Sequence, residues 1–389
     1  MATQPSSRGS IRFTHLQLGN WRNFTNVNVD LQKRGFLVGP NASGKSNFLD
    51  VFGFLHEIVS VGGGFREAVR QRGGVSQLRS LAARQNPEIS IKVSIGTDEQ
   101  LEKWEYELRF TQDNQQRPTV KREIVKSNNK VILNRPNAAD REDPILLTQT
   151  YLEQVNANKN FRDVADFFSS VRYLHIVPQL IREPDRSIGR FEDPYGGDFL
   201  EQLTRTNERT RKSRLKRIRE ALTIAVPQLI DLELKRDNRG TPHLRGKYEH
   251  WRPQGAWQDE NLFSDGTLRL FGLLWSMLDG SGPLLLEEPE LQLHPEVVRY
   301  LPQMFARIQR GRQGRQVLLS THSPDLLHDE GIGADEILLL EPRSEGTSVR
   351  ILSEFREAVH LLQSGIPMDE TVIPRTRPKN VQQLAMFDT

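Results

Sequence analysis

The stretch Gly39-Pro40-Asn41-Ala42-Ser43-Gly44-Lys45-Ser46 has the spacing G-x-x-x-x-G-K-[ST] of a phosphate-binding loop. Its surroundings fit that reading. Gly35-Phe36-Leu37-Val38 reads as a short buried strand entering the loop. Asn47 onward reads as a helix, with Phe48, Val51, Phe52 and Leu55 at helical spacing. Glycines at 39 and 44 let the backbone turn tightly and aim its N–H groups inward. The helix N-terminus adds its own amides and the positive end of its dipole. In such a loop Lys45 reaches the β- and γ-phosphates, and Ser46 holds Mg²⁺ through its hydroxyl. Strand, loop and helix in register predict a nucleoside triphosphate site and argue against a chance glycine-rich turn.

The chain of 389 residues is long enough for one large or two modest domains. The absence of cysteine excludes disulfides, thiolate metal sites and cysteine nucleophiles, and it suits a reducing cytoplasm. No apolar run approaches the roughly 20 residues of a membrane span, so a cytoplasmic protein without membrane contact is expected. Residues 1–10 are polar, lack an apolar signal core, and are expected to form a disordered tail. The formal net charge of +3 allows a nucleic-acid partner only through a local basic patch.

Residues 11–31 read as two strands around Asn20-Trp21-Arg22-Asn23-Phe24. This pair leads into the loop, so Arg22 or Phe24 could touch an adenine or ribose; a turn packed on the core is the alternative. Residues 88–133 alternate apolar and polar side chains and predict an antiparallel meander of about four strands. Residues 146–168 are expected to be helical and 171–177 to be a buried strand. Residues 196–229 predict a helical segment with Leu215, Ile218, Leu222 and Val226 inward. Arg205, Arg209, Lys212, Lys216 and Arg219 fall on another face, where they could follow phosphates or simply be solvated. Two strands are expected over residues 231–251.

Ser264 is a good N-cap for the apolar helix beginning near Thr267. Leu284-Leu285-Leu286-Glu287-Glu288 is an apolar strand ending in two acids, where a parallel sheet collects its ligands. Glu287 would support Mg²⁺ and Glu288 would polarise the attacking water. Val317-Leu318-Leu319-Ser320 is a further buried strand, and His322 follows it in position to meet a γ-phosphate or that water. Two short strands, residues 336–340 and 349–352, finish the core; from Ser353 the chain is expected to be helical for about two turns and then a polar tail, and 356–389 is taken as a C-terminal tail outside the core.

This ordered set resembles the ABC-class ATPase heads: RecF-like proteins, chromosome-maintenance heads and the AAA-type ATP-binding proteins of bacterial defence systems. Gly39 to Asn47 looks like their Walker A motif, Phe263 to Thr267 like a divergent signature, Leu284 to Glu288 like Walker B, and Ser320-Thr321-His322 like the switch histidine. Glu290 to Pro295 is similar to the E-L-x-L-H-P run of the RecF-like branch. The resemblance implies an α/β ABC-ATPase head with a mixed central sheet, an antiparallel β-lobe and an inserted α/β lid. The expected division is a core over 11–62 and 256–355, with an insert over 63–255. ATP would meet Gly39, Asn41, Ser43, Gly44, Lys45, Ser46, Asn47 and Arg22, and Ser264 and Gly266 of a second copy. Mg²⁺ would meet Ser46, Glu287 and Gln179, the candidate for the family's glutamine loop. Lys45, Glu288 and His322 would be catalytic.

Two departures stand out. Glu287 replaces the usual Walker B aspartate, and Ser-Asp-Gly-Thr replaces Ser-Gly-Gly-Gln. Asp265 would repel a γ-phosphate unless its carboxylate turns away. The implied function is an ATP-hydrolysing switch that dimerises head to head on ATP and gates a separate effector, in bacterial anti-phage defence. A RecF-like DNA-repair ATPase is the alternative; a transporter motor and a non-catalytic nucleotide-bound scaffold are weaker ones.

Overall fold

The computed structural model describes residues 10–83, 86–183, 193–250, 255–310 and 314–377. The expected N-terminal tail lies outside this range except for Ser10, as do residues 378–389 of the expected C-terminal tail.

Arg12–Trp21 (β1) and Phe24–Asp30 (β2) form an antiparallel hairpin, followed by Arg34–Val38 (β3). The loop helix, Lys45–Val59, comes next. Ile89–Gly96 (β4), Trp104–Gln112 (β5), Pro118–Ser127 (β6) and Lys130–Arg135 (β7) form the meander. The meander does not stand apart. β4 pairs along the second edge of β1, with Leu16 opposite Val93 and Leu18 opposite Ile91. One six-stranded sheet results, in the order β2-β1-β4-β5-β6-β7. The expected boundary at 62/63 therefore cuts through a continuous sheet. β1 carries N–H and C=O groups on both edges, and the second edge needs a partner as much as the first.

The second sheet is largely parallel. It uses Arg172–Leu174 (β8), Leu284–Glu287 (β12), Val317–Thr321 (β13), Ile337–Arg343 (β14) and Gly346–Ile351 (β15), with β3 between β14 and β13. Its central strands β3, β12 and β13 are buried on both faces, as all-apolar runs such as Leu284–Leu286 require. Leu37, Leu285, Leu318 and Leu338 enter the core shared with the loop helix and the antiparallel sheet. Phe36, Leu284, Leu286 and Leu319 enter the opposite core, shared with the helix Asp265–Leu278. A three-stranded antiparallel sheet, Leu229–Arg236 (β9), Pro242–Tyr248 (β10) and Ala256–Asp259 (β11), borders that second core with the helices Phe199–Arg205 and Glu208–Ala225. β11 had no counterpart in the sequence reading.

Three further expectations are corrected. The segment 146–168 is not one helix: a short 3-10 turn, Pro144–Thr148, precedes irregular chain, and only Arg162–Ser169 is α-helical. Buried Glu123 accepts the N–H groups of Tyr151 (2.8 Å) and Leu152 (3.1 Å), and Asn158 donates to the Leu152 carbonyl (2.9 Å), so these backbone groups have partners other than helical ones. The strand expected over 171–177 pairs only at 172–174; beyond it, the His175 and Val177 N–H groups turn to the carbonyls of Pro194 and Tyr195. The two turns of helix expected after Ser353 are the helix Arg356–Gln363, but residues 356–377 are not a tail: this helix and a second, Met368–Thr376, dock on the second core through fully buried Ala358 and Val372.

Arg135 holds the meander to the irregular segment. Its guanidinium is fully buried between Glu123 (2.9 Å) and Asp140 (2.7 Å) and donates to the carbonyls of Leu146 and Gln149, both at 2.9 Å. Arg135→Met would strand two buried carboxylates and should destabilise the protein by about 3–5 kcal/mol, read as a lowered urea midpoint. Burial also raises the nearby Glu153 carboxyl from 4.5 to about 7, against N–H bonds from Phe65 and Thr150. A raised folded-state value means the folded protein holds this proton more tightly. Stability should therefore fall as pH rises through that window, and Glu153→Gln should flatten the slope in thermal melts across it.

Candidate functional site

The loop leaves β3 at Val38 and reverses through Ala42 (φ 62°) and Gly44 (φ 96°), both left-handed. Gly39 is needed for close approach: a Cβ there would sit 2.6 Å from the Leu340 carbonyl oxygen. The loop helix starts at Lys45 with no side-chain cap, so its first-turn N–H groups point into the loop. Lys45 Nζ donates to the carbonyls of Gly39 (3.1 Å) and Pro40 (3.2 Å). Burial lowers its ordinary lysine value, against the pull of Glu288, Glu287 and Glu290. Asn23 braces the loop from the β1–β2 turn: its amide donates to the Ser43 carbonyl, and its oxygen accepts from the Asn47 amide, both at 2.8 Å. Ser43 is buried, and Asn41 and Ser46 are exposed.

β12 and β13 deliver the acids and the histidine side by side, with Glu287 level with Ser320. The Ser46 hydroxyl donates to one Glu287 oxygen and the Tyr173 hydroxyl to the other, with His175 Nδ1 3.9 Å from the latter. A serine hydroxyl and a carboxylate converging beside a phosphate loop are hard oxygen donors that fit Mg²⁺. Glu288 follows in a left-handed conformation (φ 42°), its N–H donating to the Ser320 carbonyl at 3.1 Å. His322 Nε2 lies 3.2 Å from Glu288 Oε1, and this contact holds the carboxyl below its ordinary range despite partial burial. An ionised carboxylate so oriented can position a water and accept its proton.

The turn Phe263–Thr267 is built separately. The Ser264 hydroxyl caps its own helix, accepting the Thr267 N–H at 3.1 Å. The Asp265 carboxylate pairs with Arg182 (2.5 Å) and accepts from the Gln179 amide (3.2 Å) and the Gln292 amide (3.1 Å). Gly266 packs so closely on the 292 region that a Cβ would lie 2.6 Å from the Gln292 carbonyl oxygen. Among the described residues, no hydrogen bond or ion pair joins this turn to Gly39–Asn47.

Residues 36–328 match the family described as AAA domain, putative AbiEii toxin, Type IV TA system. The chain belongs to this family. Among solved structures the AAA domain is similar to an Smc head bound to the C-winged helix domain of ScpA (TM-score 0.55, 14% identity, covering 90% of this chain and 99% of that one). It is also similar to the Smc heads of Pyrococcus furiosus, bound to the C-terminal domain of ScpA (0.51, 11%, 91% and 100%), and of Pyrococcus yayanosii, with a coiled coil and joint (0.50, 10%, 91% and 100%). At such identities the likeness is one of fold, that of an ABC-class ATPase head. No curated protein matches the sequence.

The AAA domain thus brings Lys45, Ser46, Glu287, Glu288 and His322 together around one loop. Other expected site residues lie elsewhere. Arg22 turns its guanidinium to Asp50 of the loop helix (3.1 Å), and Phe24 is wholly buried against Phe48, so the neighbouring Asn23 is the residue that reaches the loop. Gln179 meets Asp265 of the signature turn and has no bond to Ser46 or Glu287 among the described residues. The basic face is partly consumed: Arg219 pairs with Asp231 and Lys212 with Glu208, while Arg209 and Lys216 are exposed and Arg205 is engaged. Tyr173 and His175 carry no motif, and the E-L-x-L-H-P likeness that begins at Glu290 does not say that its carboxylate holds Thr321 and the His322 N–H. A signal existed for Tyr173, because an edge strand beside the acidic strand delivers side chains to the same end of the sheet.

Asn23→Ala deletes both braces of the loop. At about 1 kcal/mol per hydrogen bond, nucleotide affinity should weaken by roughly ten-fold or more. Titration with a fluorescent ATP analogue checks this, with circular dichroism unchanged.

Proposed function

We propose that this AAA domain is an ATP-hydrolysing switch that closes head to head on ATP and gates a separate effector in a bacterial defence system of toxin–antitoxin type. The observation that carries the hydrolytic part is the Glu288–His322 contact (3.2 Å) beside Lys45 and the Ser46–Glu287 pair. Lys45 would leave the Gly39 and Pro40 carbonyls for the γ-phosphate. Ser46 and Glu287 would hold Mg²⁺, which supplies charge neutralisation at the β- and γ-phosphates. Glu288, kept ionised, would orient the attacking water and receive its proton, while His322 would sense the γ-phosphate and fix the Glu288 side chain.

The separation of the signature turn from the loop supports a composite site, in which Ser264 and Gly266 of one copy meet the ATP held by the other. Asp265 would not oppose this, because its charge is already answered by Arg182. ATP then acts as reversible glue, and hydrolysis opens the clamp. The defence role draws on the family description, and an effector partner draws on the Smc heads that carry ScpA domains. For the DNA-binding alternative, the helix Glu208–Ala225 offers Arg209 and Lys216 as exposed cations, while Lys212 and Arg219 are paired with Glu208 and Asp231.

Glu288→Gln should bind ATP, lose turnover by about 10²–10⁴-fold and elute from gel filtration as a dimer with ATP. Lys45→Ala should remain a monomer. A Glu288→Gln protein that stays monomeric with ATP present would overturn the clamp.

A further inference from the structure

Arg269 lies on the signature helix, five positions beyond its cap residue Ser264, and is only 5% exposed. Its Nε and Nη1 have no hydrogen-bond partner. Glu290, 8% exposed, is half-satisfied in a complementary way. Its Oε1 accepts the Thr321 hydroxyl at 2.5 Å and the His322 N–H at 3.1 Å, while its Oε2 is buried without a partner. Burial holds the Arg269 guanidinium below its ordinary value, against attraction from Glu290 first, then Asp265 and Glu288. A buried cation and a buried carboxylate, each with an open hydrogen-bonding position and attracting one another, are costly apart and gain by meeting.

The backbone on either side of Glu290 is strained. Glu288 (φ 42°) and Gln292 (φ 61°) are both left-handed, and Gln292 is in contact with Asp265 and Gly266 of the signature turn. A void of about 10 Å³ lies against Arg269 and Leu273 of the helix and Glu287 and Pro289 of the acidic strand end. Residues 288–292 thus stand between two pieces of machinery in one chain: the signature turn on one side, and His322 with Glu288 on the other.

We propose that Arg269 and Glu290 are a coupling pair that links the two composite ATP sites of the head-to-head dimer. The inference rests on the clamp reading. When the signature turn of one chain engages its partner's ATP, the Arg269 guanidinium closes on Glu290 Oε2. Glu290 then fixes the His322 backbone, and through it the Glu288 carboxylate, at that chain's own ATP. Each site so reports its occupancy to the other. Both residues are positioning residues and touch no substrate.

The test is steady-state hydrolysis against ATP concentration, with fluorescent-nucleotide binding and thermal melts, for the full chain and for Arg269→Met, Glu290→Gln, the double variant and Arg269→Lys. The wild type should show a Hill coefficient above 1, approaching about 2 for two coupled sites. Either single variant should drop it to about 1 and lower turnover on the order of ten-fold, with nucleotide affinity unchanged. The double variant should be no worse than the singles, and Arg269→Lys should restore part of the cooperativity. Additive losses, or wild-type cooperativity in Arg269→Met, would overturn the pair. If Arg269→Met does not fold, the near-isosteric Glu290→Gln decides alone. A wild type that dimerises on ATP with a Hill coefficient of 1 overturns the coupling and leaves the clamp standing; one that binds ATP without dimerising overturns both.

Discussion

The helix Lys45–Val59 has an end that can be placed in few positions. Its flank, Phe48, Val51, Phe52, Phe54 and Leu55, is wholly buried between the two large sheets. Its N-terminus has no side-chain cap, and first-turn N–H groups left in an apolar core would be costly. The fold puts that end at the polar edge of the parallel sheet, where β3 finishes, and locks it there. Trp21 Nε1 donates to the Asn47 carbonyl at 2.9 Å, and Asn23 ties the loop from the same turn. An apolar body thus fixes a polar end, and the donors point where anions can approach.

The same edge collects carboxylates, which creates the opposite problem. Glu287, Glu288 and Glu290 crowd the end of one strand. Glu287 meets the Ser46 and Tyr173 hydroxyls, Glu288 meets the His322 ring, and one oxygen of Glu290 accepts from Thr321 and the His322 N–H. Aiming near-neighbours in sequence in different directions requires abrupt backbone turns. The left-handed residues Glu288 and Gln292 supply them, at about 1–3 kcal/mol each. Strain of this size persists only where the surroundings over-determine the geometry, and here β13, which runs beside the acidic strand, is buried along its whole length.

What was legible in the sequence follows from what periodicity and local chemistry encode. The loop spacing, the alternation that builds β4 to β7 and the Ser264 cap are local, and each appears in the structure. Periodicity assigns a face and leaves the partner open, so the pairing of β4 with β1 across the expected 62/63 boundary was not readable. The irregular run near Tyr151 was also hidden, because its backbone partner, Glu123, is distant in the chain. The helix after Ser353 was readable, but its docking and that of the helix beyond it rest on a few small or scattered apolar residues, Ala358, Met368 and Val372, too sparse to distinguish from a tail. At the site, choosing between Arg22 and Asn23 required the direction of a side chain, which neither spacing nor composition carries.

The signature turn shows why its acidic departure is compatible with a nucleotide interface. A carboxylate facing a γ-phosphate would be repelled, yet Asp265 is bound on the same chain by Arg182, Gln179 and Gln292. Arg182 also donates to the Phe263 carbonyl at 2.6 Å, so one guanidinium neutralises the acid and braces the turn that precedes it. The cluster makes the geometry of the turn a property of the single chain and leaves the Gly266 amide and the Ser264 hydroxyl as its neutral polar groups. The Asp265–Gln292 bond has a second effect. It ties the turn to the segment that carries Glu290, alongside the close backbone approach of Gly266 to the Gln292 carbonyl. The residue that makes the signature divergent is thus also one that connects it to the acids of β12.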